Sequence, residues 1–282
     1  MQLIAASCKL FENNLNHVKG PYGAHRTKGL KGQSLLPVLT SCVDDVLAQG
    51  ACSAESIDLI VSLSLSPDHL VAKTNVMGPR IGHPLQREIG AKHAFVFDAM
   101  DASLAKTLHV VNLLAGAQGY RRVLLVRAEN TVHLEPCNQS GFEVSNGVMA
   151  MLLTPDPTPS FFSEAIQWQG QPLRVNLAKH IQDEHSVKGQ FVLPHDPALA
   201  QEINRSVDKI LSNPAFSGTT PIVESWLSDS PESGVCEGPF GIPNDLAQRP
   251  SDAGQFQLVS VDLFSMQVDT VTLKWAQERS HA

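Results

Sequence analysis

Apolar residues recur through the first half of the chain in two alternating rhythms. In GQSLLPVLTSCVDDVLAQG (32–50) they fall at 35, 36, 39, 43, 46 and 47, the spacing that lines one face of an α-helix, and glycines bound the run. IDLIVSLSLS (57–66) follows as a short β-rich run. Beyond the Gly/Pro-punctuated stretch TNVMGPRIGHPLQREIGA (74–91), HAFVFDAM (93–100) is almost continuously hydrophobic, which predicts a strand buried on both faces. SLAKTLHVVNLLAGAQG (103–119) is apolar nearly all round and closed by Gly119, which predicts a long helix inside the protein. RRVLLVRAEN (121–130) and GVMAMLLTP (147–155) predict two further strands. Strands separated by helices indicate a layered α/β fold whose sheet is largely covered.

TPDPTPS (154–160) interrupts the rhythm, because its prolines continue neither a helix nor a central strand. The boundary between two halves, 1–156 and 157–282, is placed there. In the second half ALAQEINRSVDKIL (198–211) reads as a helix, and QFQLVSVDLF (255–264) with VDTVTLKW (268–275) as a strand hairpin. Between them, SDSPESGVCEGPFGIPNDLAQRPSDAG (228–254) is rich in Gly, Pro and Ser with little periodicity, and a missing or reduced element is expected there.

Composition narrows the function more than the fold. The 282 residues are 43% hydrophobic and 17% charged, enough for one compact unit or two tightly packed halves. A net charge of −7 without a Lys/Arg-rich run excludes the electrostatic footprint of a nucleic-acid binder. No window approaches the roughly 20 apolar residues of a membrane span, and MQLIAASCKLFENN has too short an apolar stretch and no basic leader, so a cytoplasmic protein is expected. The five cysteines (Cys8, Cys42, Cys52, Cys137, Cys236) form no CxxC and no metal-ligand spacing, which predicts free thiols and no metal centre.

The candidate chemistry lies in FVFDAMDASLAKTL (95–108), a small-residue turn running into a helix. Such a turn favours a nucleophile, because the positive end of the helix dipole and nearby N–H groups stabilise an anion. The residue there is Ser103, whose hydroxyl has almost no alkoxide at neutral pH without a base beside it, and DASLA lacks the G-x-S-x-G elbow. A buried N-cap is the favoured reading of Ser103. Cys137, in HLEPCNQSG, is a loop thiol with no activating constellation nearby in sequence. Asp68 and His69 are adjacent, but neighbouring side chains diverge in extended structure, and a structural histidine is favoured. His83, His109 and His195 share no spacing, and His195 precedes the 198–211 helix in a proline-flanked turn, so it is not taken as a catalytic base.

Several of these segments together resemble the ketoacyl-ACP synthase III branch of the thiolase fold. IDLIVSLSLSPDHL (57–70) resembles that family's strand into the substrate entrance, FDAMDASLA (97–105) its FD-x-x-x-AC-x-G nucleophile turn, YRRVLLVRAEN (120–130) the next strand, and VSNGVMAMLL (144–153) the FGDGAGA-x-x-L strand. VKGQFV (187–192) is similar to its MxGxxVF segment. In this register the family's cysteine falls on Ser103, its following glycine on Ala105, and the FGDG aspartate on Asn146. The H-Q-A-N-like and G-N-T-S-like motifs that would supply the activating histidine and asparagine are both missing, and the second half is short. Nucleophile and activators are lost together. SPDHLVAKTNVMGPRIGHPLQREIGA (66–91), VFDAMDASLAKTLHVVNLLAGAQGYRRVLLVRAE (96–129), SGFEVSNGVMAMLL (140–153) and CEGPF (236–240) resemble more closely the B-type subunits of the heterodimeric alkylquinolone synthases, over nearly the whole chain.

The resemblance implies a thiolase-like α/β/α/β/α fold of two pseudo-repeated halves, the second shortened. It implies a non-catalytic subunit that pairs with a cysteine-bearing homologous C-type subunit, which condenses a medium-chain acyl group, typically octanoyl, from coenzyme A with aminobenzoylacetate to give an alkyl-quinolone. No cofactor is implied; acyl-CoA is the complex's substrate and is handled by the partner. Phe97, Asp98 and Ser103 would lie near the partner, and the loop LVAKTNVMGPRIG (70–82), through Val71, Val76 and Met77, would reach its acyl pocket. Two other readings stay open: an autonomous acyltransferase or acyl hydrolase using Ser103 or Cys137, and a non-enzymatic acyl-binding regulatory protein.

Overall fold

The computed structural model describes residues 1–11, 34–64, 81–100, 103–129, 146–157, 160–169, 174–176, 190–192, 197–224, 238–249, 254–262 and 264–276. The first half contains β1 (Gln2–Leu10), α1 (Leu36–Gln49), β2 (Leu59–Ser64), α2 (Gly82–Ile89), β3 (Phe95–Met100), α3 (Leu104–Gln118), β4 (Val123–Glu129) and β5 (Gly147–Thr154). The second contains β6 (Phe161–Ala165), β7 (Arg174–Asn176), β8 (Gln190–Val192), α4 (Pro197–Leu211), β9 (Thr220–Val223), α5 (Gly241–Gln248), β10 (Gln255–Asp262) and β11 (Gln267–Trp275). β7 and β8 pair only with each other.

The remaining nine strands form one hydrogen-bonded array that divides into two sheets. The first runs β3-β2-β4-β5-β1 and the second β9-β10-β11-β6, joined where Gln2 and Leu3 of β1 pair with Lys274 and Trp275 of β11. The two orders repeat. β2–β4 and β9–β10 are parallel, while β4–β5–β1 and β10–β11–β6 are antiparallel. Among the described residues only the counterpart of β3 has no equivalent, so the second sheet is one strand narrower.

Strand alternation sorts the core into layers. Leu59, Val61, Leu63, Val123, Leu125, Met149 and Met151 turn inward with Phe256, Leu258, Val271 and Leu273 of the second sheet. They sandwich Leu104, Leu108, Val111 and Ala115 of α3 and Ile242 and Leu246 of α5. Ile60, Leu124, Val126, Ala150 and Leu152 turn outward beneath Leu39, Val43 and Val46 of α1 and Leu85 of α2. On the far side Val259, Val261 and Val268 pack under Leu199, Ile203 and Ile210 of α4. The result is a five-layer α/β/α/β/α stack, with both sheets covered on both faces.

The predicted helices and strands of 32–50, 57–66, 103–119, 121–130, 147–155, 198–211, 255–264 and 268–275 all form, within a few residues at their ends. Two expectations need correction. β3 is not buried on both faces: it is an edge strand, and Phe95 and Phe97 are 53% and 37% exposed, because nothing among the described residues pairs with its outer side. The stretch 228–254 is not irregular throughout, since Gly241–Gln248 forms α5, whose Ile242, Pro243 and Leu246 are buried against β1 and β9. Sequence reading also missed β1, β6, β9 and α2. α2 begins at Gly82, where a Cβ would stand 2.6 Å from Asp98 Oδ1 and 2.7 Å from Val96 Cγ1, so glycine lets the helix lie directly on β3.

Candidate functional site

The inner strand faces change character toward the start of α3. β10 and β11 carry Ser260, Asp262 and Asp269 on the same inward rows as Phe256, Leu258, Val271 and Leu273, and β6 adds Ser163 beside Phe161. This polar end of an apolar layer receives the nucleophile-like turn.

Ser103 is the N-cap of α3, in extended conformation, and its side-chain oxygen accepts the Lys106 N–H at 3.0 Å. The same hydroxyl donates to Asp269 Oδ2 at 2.7 Å, and Ser163 donates to Asp269 Oδ1 at 2.6 Å. Ser260 Oγ accepts the Ala105 N–H at 3.1 Å. Ser103 is 4% exposed and Asp269 0%. A first-half helix is thus fastened by its first turn to β10 and β11 of the second half, with β6 bracing Asp269. Among the described residues no imidazole or amine is bonded to the Ser103 hydroxyl, and a carboxylate is too weak a base to raise a useful alkoxide fraction.

A second polar cluster lies at the entrance to the other middle helix. Arg127, 2% exposed in β4, donates to the Pro239 carbonyl at 3.1 Å, just before α5. It lies 3.5 Å from Glu129 Oε1 and 3.9 Å from Glu224 Oε1, and Glu224 Oε2 accepts the Val261 N–H. Here a first-half strand holds the start of a second-half helix, the reciprocal of the Ser103 arrangement.

The remaining predicted residues separate. Phe97 lies opposite Val61 and Phe95 opposite Leu59 in the β2–β3 register, so both phenyl rings project on the α3 side. On α3 itself Val110, Leu113 and Ala117 face solvent at helical spacing, Val110 and Leu113 being 46% and 55% exposed. The edge strand and the middle-layer helix therefore each expose apolar side chains. Asp98 turns to the opposite face, where its carboxylate accepts from Ser62. His83 is exposed beside Gln86. His109 stacks on Phe161 with ring centroids 4.2 Å apart, and burial holds its imidazole below the usual histidine range. Asn146 is buried at the start of β5, where its carbonyl accepts from Phe11 N–H. Val71, Val76, Met77, His69, Cys137 and His195 lie outside the described residues.

Sequence reading missed Asp269, Ser163, Arg127 and Glu224. The available signal was a charge inside an apolar strand, as in VDTVTL and LLVRAE, where alternation places Asp269 and Arg127 on inward rows.

No family model matches the chain. It is 37% identical over 272 residues to the 2-heptyl-4(1H)-quinolone synthase subunit PqsB of Pseudomonas aeruginosa, covering 94% of each chain. A 90-residue stretch, 32% of this chain and 25% of the relative, is 30% identical to the β-ketoacyl-[acyl-carrier-protein] synthase III of Clostridium tetani. Among solved structures, the tetronic acid condensing enzyme AbyA1 superposes with a TM-score of 0.67 at 15% identity, over 97% of this chain and 100% of that one. The priming β-ketosynthase of the R1128 polyketide pathway superposes with a TM-score of 0.69 at 12% identity, over 97% and 96%. These superpositions identify the five-layer stack as the thiolase-like fold.

Proposed function

The chain belongs to the family of the quinolone synthase subunit PqsB, and from that premise we propose that it is the non-catalytic subunit of a heterodimeric condensing enzyme. The complex makes an alkyl-quinolone from a medium-chain acyl-CoA of octanoyl type and aminobenzoylacetate. The nucleophilic cysteine is on a homologous PqsC-type partner, which also handles the acyl-CoA, and this chain brings no cofactor.

The observation that carries the reading is the edge of β3, which no described strand pairs on its outer side and which exposes Phe95 and Phe97, together with the exposed Val110 and Leu113 of α3. Exposed apolar surface beside unpaired strand backbone is the pattern of a protein–protein contact, since either feature left in water invites association. A homologous subunit presents the same strand and helix, so an edge-to-edge pseudo-twofold contact satisfies both. The commitment of the Ser103 hydroxyl to Lys106 N–H and Asp269 supports the non-catalytic part of the reading, and argues against an autonomous enzyme built on Ser103. The loop 70–82 is proposed to reach the partner's acyl pocket through Val71, Val76 and Met77; shortening it should change chain-length preference, and an unchanged preference and affinity would refute that role.

Intact-mass measurement after exposure to octanoyl-CoA tests the whole reading. The expected result is an octanoyl adduct on the partner and none on this chain, alone or paired; an adduct at Ser103 overturns it.

A further inference from the structure

Three backbone N–H groups at the start of α3 are already engaged. The N–H of Ala105 is given to Ser260, that of Lys106 to the Ser103 hydroxyl, and that of Thr107 to the Ser103 carbonyl at 2.9 Å. The hydroxyl passes its own proton toward Asp269, whose other oxygen is held by Ser163. A helix N-terminus attracts one negative charge strongly and gains little from a second at the same place.

We infer that Asp269 is the resident anion of the α3 turn: a positioning residue whose buried carboxylate takes the electrostatic place of a reactive thiolate and fastens α3 to the second sheet. The inference rests on the reading of this chain as non-catalytic and adds a physical reason for it. A cysteine restored at position 103 would lie against a carboxylate. Its thiolate would keep the Lys106 N–H but lie against the Asp269 carboxylate, and this like charge would hold the sulfur protonated and unreactive. The same bonds set where α3 stands, and with it the outward row of Val110 and Leu113.

Among the described residues the charged neighbours are few and partly matched. On α3, Lys106 Nζ lies 3.7 Å from Asp262 of β10, and His109 one turn on is stacked against Phe161 of β6. Glu164, the next charged residue on β6, is on the opposite face and paired with Lys209 of α4. Asp269 is therefore the anion in direct contact with position 103.

The test uses the full chain, with and without its partner, carrying Ser103→Cys alone or together with Asp269→Asn. Alkylation of residue 103 by iodoacetamide is followed across about pH 6 to 10 by peptide mass mapping, which separates it from the five native thiols, and octanoyl-CoA is offered in parallel. With Asp269 intact, no octanoyl adduct should form at 103. Alkylation near pH 8 should then be at least ~10-fold slower than in the Asp269→Asn background, with the pH profile displaced upward by about one unit or more. Identical profiles in the two backgrounds, or an octanoyl adduct at 103 with Asp269 in place, would overturn the inference. Should Asp269→Asn fail to fold, Ser163→Ala with Ser103→Cys decides. Removing one donor from the carboxylate should slow alkylation further, whereas loosening of a merely structural contact would speed it, and that acceleration refutes the inference. Since labelling is read on this chain, failure of the partner to bind tests the proposed function separately.

Discussion

At the scale of single residues the chain is decided by where hydroxyls and carboxylates find partners. Ser103→Ala removes an N-cap and takes one of two hydroxyl donors from a fully buried carboxylate, so a loss of about 1–3 kcal/mol is expected in equilibrium denaturation. No loss at all would mean the bonds contribute nothing. His109 carries a different prediction. Its imidazole titrates below the ordinary histidine range in the fold, chiefly through burial, while in the unfolded chain it titrates near its usual value. The unfolded state therefore binds the proton first, and this contribution to stability is present above the unfolded pKa and is lost as pH falls below it. Melting temperatures followed from neutral pH downward should fall less steeply in His109→Phe than in the parent chain. The N-cap role of Ser103 was legible in the sequence, since a small hydroxyl residue directly before an apolar helix rarely has another use. Its bond to Asp269 was not, because 166 residues separate the two.

At the scale of elements the periodicity located most helices and strands and misjudged how much water they meet. α3 is apolar nearly all round, and its inner face, Leu104, Leu108, Val111 and Ala115, packs between the sheets. The remaining apolar positions signalled burial that one chain does not provide. Leu113→Asp should leave the isolated chain's melting temperature within about a degree or two, since surface substitutions usually change stability by no more than about 0.5 kcal/mol. It should weaken co-purification with the proposed cysteine-bearing partner at least ~10-fold. Unimpaired pairing would remove α3 from the contact. Gly82 shows the opposite case, an element missed because its sequence is full of breakers. Gly82→Ala should cost about 1–2 kcal/mol, read by denaturation, because the added methyl meets Val96 and an Asp98 carboxylate held by Ser62, and this overpacking outweighs the modest helix propensity gained at a first turn.

At the scale of the whole molecule, two buried polar clusters tie the halves together reciprocally. α3 is held by the strands of the second sheet through Ser260 and Asp269, and the entrance to α5 by Arg127 of the first. Arg127→Met would keep the volume but remove the guanidinium that lies beside Glu129 and Glu224. Breaking a buried pair in this way typically costs about 3–5 kcal/mol, and denaturation should show a loss of that order. A substitution within ~0.5 kcal/mol of the parent would mean that water or another group already screens the two carboxylates.

The sequence by itself determined the layered α/β architecture, most of the elements and the N-cap at Ser103, because apolar spacing and capping are local and are written in consecutive residues. Tertiary structure alone decided that β3 is an edge strand among the described residues, that Phe95, Phe97, Val110 and Leu113 are left exposed, and that Asp269 lies under Ser103. A hydrophobic run carries the same letters whether the neighbour that covers it is in the same chain or another, and pairing across the sheets is fixed by contacts between distant segments that no local pattern encodes.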